Sequence, residues 1–144
     1  MRRTLSLLLT IALAGAVGGC GEDREDISSA EYLLSRQHQA WRNARETLKT
    51  DSPNMQQLYA LHQLLCRRTP RIIEKKYAGD DREAVLAKIR AIADRYEAEI
   101  AAKLTLTPRE VVLAPGASLD DIRRVFEELD KDYRELEAMT SPEE

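Results

Sequence analysis

The chain has 144 residues, a formal net charge of −3 and 33% charged residues, and this length fits a single domain. The acidic balance argues against a nucleic-acid partner, because nucleic-acid binding requires a broadly basic face. Only 6 glycines and 5 prolines occur, and the recurring Ala, Leu, Glu and Arg are strong helix formers. We therefore expect an all-α fold, a small helical bundle of about four amphipathic helices.

The first 20 residues have the layout of an export signal. Arg2-Arg3 form a short positive region, and residues 5–19 are uncharged and mostly apolar. The next feature is the tetrapeptide Val17-Gly18-Gly19-Cys20, which resembles the lipobox of bacterial lipoproteins. This resemblance implies that residues 1–19 are removed as a signal peptide. It also implies that Cys20 becomes the lipidated first residue, carrying diacylglycerol and usually an N-acyl chain.

The lipobox resemblance covers residues 1–20 only, and residues 21–144 resemble no family that we recognise. It implies a bacterial cell-envelope protein bound to a membrane by its lipid, since two or three acyl chains make a stable anchor. No cofactor other than this covalent lipid is expected. Gly21 stands where Asp retains enteric lipoproteins at the inner membrane. The resemblance therefore favours the outer membrane, with the domain facing the periplasm.

Two other interpretations of the N-terminus remain open. In the first interpretation, the apolar run of about 16 residues is an uncleaved membrane span, although a span needs roughly 20 residues. In the second, a plain secretory cut follows Ala14-Gly15-Ala16. Both interpretations leave Cys20 free to form a disulfide.

An apolar seam predicts the first helix, over residues 28–49. Ser28 and Glu31 form a capping box at its start. Trp41 lies in the seam and is interpreted as a core anchor, with a binding hot spot on an open groove as the alternative. The seam repeats at alternating spacings of three and four, which places its members on one helix face; they are Ile27, Ala30, Leu34, Gln37, Trp41, Ala44 and Leu48.

The second helix is predicted over residues 53–68, with Ser52 as its N-cap and Pro53 at its first position. Thr69-Pro70 should break or kink the chain. A short helix over residues 70–78, stopped by Gly79, is allowed after this break.

The third helix is predicted over residues 81–104 behind the cap Asp80, and the fourth over residues 119–139 behind the N-cap Ser118. Between them, Val111-Val112-Leu113 is interpreted as part of a loop that follows one helical turn. A strand is disfavoured there because a lone strand has nothing to pair with.

These elements define the domain organisation. The lipidated cysteine and a short polar tether occupy residues 20–27, a single helical domain covers residues 28–139, and the tail 140–144 should fray. The tether spans on the order of 20 Å when fully extended, so the domain should stay close to the membrane. The alternative to a monomeric bundle is a pair of long hairpins that complete their core as a homodimer.

His62 and Cys66 lie four residues apart on the second helix and therefore project from one side. An imidazole and a thiolate at this spacing could bind Zn²⁺ or Cu⁺, with His38 as a third ligand. Because no second ligand motif accompanies them, we favour no metal, with His62 hydrogen-bonded near the core and Cys66 a small buried residue. If Cys20 is acylated, Cys66 is the remaining thiol, and a disulfide between two copies is a further hypothesis.

Five cations within ten residues are opposed only by Glu74 in that stretch; we call them the basic segment, and they are Arg67, Arg68, Arg71, Lys75 and Lys76. One interpretation is a contact site for lipid phosphates, other envelope anions or an acidic partner. In the other, Arg67 and Arg68 stabilise the end of a helix dipole. The remaining cations would then pair with acids of the fourth helix, which are Glu127, Glu128, Asp130, Asp132 and Glu135.

No catalytic motif stands out in the sequence. Consecutive acids such as Glu127-Glu128 diverge on a helix, and neither a Ser-His-Asp arrangement nor a phosphate loop is recognisable. We expect a non-enzymatic adaptor or docking subunit with a protein partner in the cell envelope. The alternatives are a small-ligand or metal carrier that uses the bundle interior with His62 and Cys66, and a membrane-surface sensor that uses the basic segment.

Overall fold

The computed structural model describes residues 27–141, and this part of the chain is mostly helical, which confirms the predicted small all-α bundle. The predicted signal peptide, Cys20 and most of the predicted tether lie outside the described residues. The elements are α1 (Ala30–Leu48), α2 (Gln56–Gln63), a π-helical turn (Leu64–Arg68), α3 (Thr69–Lys76), α4 (Arg82–Glu99), a 3₁₀ turn (Ala101–Lys103), β1 (Leu104–Leu106), β2 (Val111–Leu113) and α5 (Leu119–Thr140).

Side-chain caps start the two longest helices. The hydroxyl of Ser29, one residue after the predicted cap, accepts a hydrogen bond from the Tyr32 N–H at 3.1 Å. Ser118 caps α5 as predicted and accepts from the Asp121 N–H at 3.1 Å. The prediction that the tail 140–144 frays is wrong at its first residue, because Thr140 is helical and buried. Its hydroxyl donates to the helix carbonyl four residues earlier, at 2.8 Å.

The predicted start of the second helix at residue 53 is wrong, since α2 begins at Gln56. The Thr47 hydroxyl accepts the Asn54 N–H at 2.6 Å, and the Asn54 side chain accepts the Gln56 N–H at 3.1 Å. These bonds hold Pro53 in the turn ahead of the helix.

The predicted break at Thr69-Pro70 is also wrong, because the chain stays helical from α2 through α3. The Thr69 N–H donates to the Leu64 carbonyl, five residues back, so the turn before Pro70 is a wide π-turn. A π-turn gives the proline ring room beside the preceding carbonyls, and proline at a helix start lacks only an N–H that has no partner there. The helix ends where Tyr77 turns extended, two residues before the predicted stop at Gly79.

The predicted third helix extends one residue before the start of α4 and five residues past its end, and Asp80 does not cap it. Its N-cap is Asp81, whose carboxylate accepts a hydrogen bond from the Tyr77 hydroxyl. After α4 ends, β1 pairs antiparallel with β2, with Leu104 opposite Leu113. The loop predicted over residues 111–113 is therefore a strand. Its partner strand β1 begins at Leu104, which is the last residue of the predicted helix.

The core lies where α1, α4 and α5 meet, with α2 and α3 packed beside α1 and α4. Trp41 is fully buried and stacks between Phe126 and Tyr133, with ring centroids at 4.6 and 4.0 Å. The prediction of Trp41 as a core anchor is confirmed. Between residues 27 and 141, each helix is too short or too polar to span a bilayer.

The start of the described chain is fixed to the end of α3. The Ile27 N–H donates to the Lys76 carbonyl at 2.8 Å, and the Ala78 N–H donates to the Ile27 carbonyl at 2.8 Å. Ile27 and Tyr77 thus form a parallel bridge. The point where the tether joins the domain therefore lies at the C-terminal end of the basic segment.

Candidate functional site

The basic segment extends from the π-turn to the end of α3. All five of its side chains are exposed, and none lies within 4.0 Å of a carboxylate among residues 27–141. The one acid within the segment, Glu74, is paired with Arg90 of α4 at 3.7 Å. Thr69 and Ile73 on the other side of α3 are buried. The core therefore holds α3 so that its cations face solvent.

The prediction that acids of α5 neutralise the basic segment is wrong. Glu128 and Asp132 lie 3.3 and 3.9 Å from the guanidinium of Arg95, and Glu135 pairs with Lys88. Arg95 and Lys88 both belong to α4. The acids of α5 meet these two cations because α5 packs mainly against α4 and α1 and not against α3. No carboxylate of the described residues therefore forms an ion pair with the basic segment, although Asp94 and Glu97 of α4 line a cleft together with Arg67 and Arg71.

A second feature, the His–Cys–Glu cluster, lies beside the basic segment and consists of His62, Cys66 and Glu97. The His62 Nε2 and a carboxylate oxygen of Glu97 are 2.9 Å apart. One ligand atom from each of the three residues lies within 4.8 Å of the other two. The imidazole is buried, the thiol is half-buried and the carboxylate is exposed, so the cluster opens to solvent on one side.

The predicted third ligand, His38, is not part of this cluster. The Tyr133 hydroxyl accepts from the Gln37 amide at 3.2 Å and donates its own proton to His38 Nδ1 at 2.6 Å. The other ring nitrogen then donates to the Thr140 hydroxyl at 3.4 Å. Burial, aided by the charge of Arg42, lowers the pKa of His38 to about 4, so the ring is neutral at pH 7.

Glu97 is the member that the sequence did not reveal. It lies 31 residues after Cys66 on another helix, and its approach depends on how α4 packs against the π-turn. The only signal in the sequence was a pair of acids, Asp94 and Glu97, next to the apolar stripe of the predicted third helix.

The thiol of Cys66 has the features of an unreactive cysteine. Burial and the neighbouring carboxylate of Glu97 raise the pKa of Cys66 to about 12, and Arg67 only partly offsets this. Its sulfur lies 3.7 Å from the Ala93 carbonyl oxygen. A protonated, half-buried thiol is a poor nucleophile at neutral pH, and the disulfide between two copies stays a hypothesis.

Asp130, one of the acids considered as partners of the basic segment, instead connects α5 to α1 from inside the bundle. Its carboxylate accepts from Trp41 Nε1 at 2.7 Å, from Arg45 at 2.8 Å and from Arg134 at 3.1 Å. Burial alone would raise the pKa of Asp130, but the hydrogen bonds from Arg45 and Trp41 outweigh it and lower the pKa. We interpret this network as structural, because each partner is a neighbouring protein side chain.

The fold and these sites define a small all-α bundle with one β-hairpin, an exposed basic segment and an adjoining His–Cys–Glu cluster. Comparison of the chain with protein-family models, with curated proteins and with solved structures gives no significant match.

Proposed function

We propose that this protein is a lipid-anchored, non-catalytic adaptor of the bacterial cell envelope that binds an acidic surface of a partner protein through its basic segment. One observation carries the proposal: five exposed cations have no carboxylate partner in residues 27–141. Unpaired charges of one sign on a rigid helix form a field that attracts an oppositely charged surface and orients it.

The charge distribution favours a protein over a lipid surface as the occupant. Removing residues 1–19 removes two cations and no acid, so the mature chain carries −5. Residues 67–76 hold five cations and one acid, which leaves −9 on the rest of the mature chain. An extended anionic membrane would repel most of this surface, whereas an acidic patch of limited size can contact the basic segment alone.

The position of Ile27, where the predicted tether meets the domain, supports a partner that is itself at the membrane. Ile27 is hydrogen-bonded to Lys76, and Cys20 lies seven residues before Ile27. Seven residues reach at most about 25 Å when fully extended. A lipid on Cys20 would therefore keep the basic segment within this distance of the bilayer surface, where the periplasmic faces of membrane proteins lie.

The test compares charge-matched variants in living cells. Lipidated wild type, the double variant Arg71→Glu with Lys75→Glu, and the control Arg109→Glu with Lys131→Glu are crosslinked in vivo and recovered by pull-down. All four positions are exposed, and the control makes the same change in net charge outside the basic segment. We expect wild type and control to capture the same partner with an acidic surface, and the first variant to lose it.

Binding of the identified partner is then measured at several salt concentrations. The reversal in the basic segment should weaken binding by at least about tenfold, which corresponds to 1.4 kcal/mol, and wild-type binding should weaken as salt rises. Equal capture by the two double variants would overturn the adaptor proposal. Binding of wild type to anionic vesicles that is lost only in the segment variant would favour the membrane-surface sensor instead.

The anchor is tested separately. Mass spectrometry of the mature N-terminus from the native host should show acyl chains on Cys20, and globomycin should block removal of residues 1–19. A leader still attached, or an unmodified thiol at position 20, would contradict the lipid anchor without bearing on the basic segment.

A further inference from the structure

The His–Cys–Glu cluster joins two segments that are distant in sequence but packed together. His62 on α2 and Cys66 in the π-turn present their ligand atoms toward Glu97 on α4. In the described structure, Glu97 contacts both the imidazole, at 2.9 Å, and the thiol. An imidazole nitrogen, a thiol sulfur and a carboxylate oxygen that lie within 4.8 Å of one another are a set of ligand atoms that a cation could join.

We infer that His62, Cys66 and Glu97 form a binding site for Zn²⁺, a property that goes beyond the adaptor function proposed above. Zinc accepts nitrogen, sulfur and carboxylate oxygen together, whereas Cu⁺ favours sulfur-rich sites and Mg²⁺ or Ca²⁺ favour oxygen alone. The mixed donor set therefore selects zinc. When the sulfur coordinates, the thiol proton is released to solvent, and His62 binds through Nε2 as a neutral imidazole in the tautomer that carries its proton on Nδ1.

The geometry requires only small adjustments. Tetrahedral zinc with bonds of about 2.0 to 2.3 Å separates its ligand atoms by roughly 3.3 to 3.8 Å. The three ligand atoms lie within 4.8 Å of one another, so rotations of the exposed Glu97 side chain and of Cys66 can close the site. The Gln63 amide lies 3.4 Å from His62 Nδ1, and its carbonyl end can accept the Nδ1 proton, as outer partners of zinc-bound histidines commonly do.

A solvent-accessible cleft gives the ion a path and an open fourth position. Cys66 and Glu97 line this cleft together with Asp94, which supplies a further carboxylate at its edge. Cations also line the cleft, namely Arg67, Arg71 and Arg90. They oppose the approach of a free cation, but a zinc ion bound to one thiolate and one carboxylate leaves the site neutral. The fourth position is therefore filled by water or by an anion that the arginines attract.

The test titrates zinc chloride into the lipidated mature protein in detergent, by calorimetry, and repeats the titration with Co²⁺ while recording the absorption spectrum. We expect one Zn²⁺ per chain and a sulfur-to-cobalt charge-transfer band. Cys66→Ser and Glu97→Gln should each weaken binding by at least about tenfold, and Cys66→Ser should abolish the band. Glu83→Gln, on the same helix but fully outside the cluster, is the matched control and should behave as wild type.

Circular dichroism of each variant checks that the fold is intact, and the conservative Cys66→Ser and Glu97→Gln exchanges preserve side-chain size. Zinc binding that is unchanged in both ligand variants would overturn the inference, as would a cobalt complex of the wild type without the charge-transfer band. Failure of the adaptor proposal would leave these results unaffected, since the crosslinking variants do not alter the three ligands.

Discussion

The buried carboxylate of Asp130 provides the most quantitative prediction. Asp130→Asn keeps the size of the side chain and removes its charge. A hydrogen bond to a charged group contributes about 1.5 to 3 kcal/mol, against about 0.5 to 1.5 for a neutral pair. The bonds from Trp41 and Arg45 are largely buried and should each lose about 1 kcal/mol by this difference. Arg134 is 64% exposed, so its pair adds at most about 0.5 kcal/mol.

The expected loss in the free energy of unfolding is therefore about 2 to 3 kcal/mol at pH 7. It is measured by urea denaturation, followed both by circular dichroism and by the fluorescence of Trp41, the only tryptophan. Asp132→Asn is the matched control on the same helix. Its carboxylate is 42% exposed and lies 3.9 Å from Arg95, so its removal should cost no more than about 0.5 kcal/mol.

The pH dependence supplies the refutation. The folded pKa of Asp130 is lower than its ordinary value, so the stabilisation is complete above the unfolded pKa of about 3.9 and is lost as the pH falls through the folded pKa. The stability difference between wild type and Asp130→Asn should close in acid. A variant within about 0.5 kcal/mol of wild type at pH 7, or a difference that stays constant into acid, would refute this reasoning.

Three further predictions follow from individual side chains. The folded pKa of His38, about 4, lies below the ordinary 6.5. As the pH falls between these values, the unfolded chain binds the proton first, so the free energy of unfolding decreases. His38→Gln should remove this part of the pH dependence, as measured by urea denaturation, and an unchanged pH dependence would contradict the prediction. Iodoacetamide should label Cys66 at pH 8 at least about tenfold more slowly in folded than in unfolded protein, as mass spectrometry can measure, and equal rates would contradict the buried thiol. Gly116 has a φ of 83°, a backbone conformation that favours glycine. Gly116→Ala should therefore lower the free energy of unfolding by about 1 kcal/mol, as measured by thermal or urea denaturation. An unchanged free energy of unfolding would contradict this prediction and show that the turn relaxes.

The periodic seams were enough to predict the longest helices. The seam through Leu34, Trp41 and Leu48 and the predicted cap Ser118 correspond to α1 and α5 as the structure has them, whereas the cap of α1 is Ser29 and not the predicted Ser28. A spacing of three and four residues has one physical solution, a helix with one buried face. Local sequence therefore determines these elements with little help from tertiary contacts.

The elements that were mispredicted depend on their neighbours. Pro70 normally ends a helix, but the preceding π-turn lets the chain continue, and no residue pattern signals that turn. Leu104-Thr105-Leu106 alternates in a way that fits a strand, yet it followed a helical stripe without interruption. It becomes a strand because Val111-Val112-Leu113 folds back and pairs with it.

The candidate sites divide in the same way. The basic segment is contiguous, so its residues were predictable, but its lack of ion pairs with carboxylates of residues 27–141 depended on packing. His62 and Cys66 were predictable as a pair at helical spacing. Glu97 was not, because the 30 residues between Cys66 and Glu97 must fold before it meets them.

The exposed state of the basic segment does not result from a shortage of acids. The helix α5 carries carboxylates in excess, but the fold directs Glu128 and Asp132 to Arg95 of α4 and Asp130 to Arg45 of α1. A sequence selected only for stability would gain little by clustering five like charges between the π-turn and the end of α3, since like charges at helical spacing repel one another. An opposite charge that approaches from outside would relieve this repulsion, and for this physical reason we propose that a partner protein supplies it.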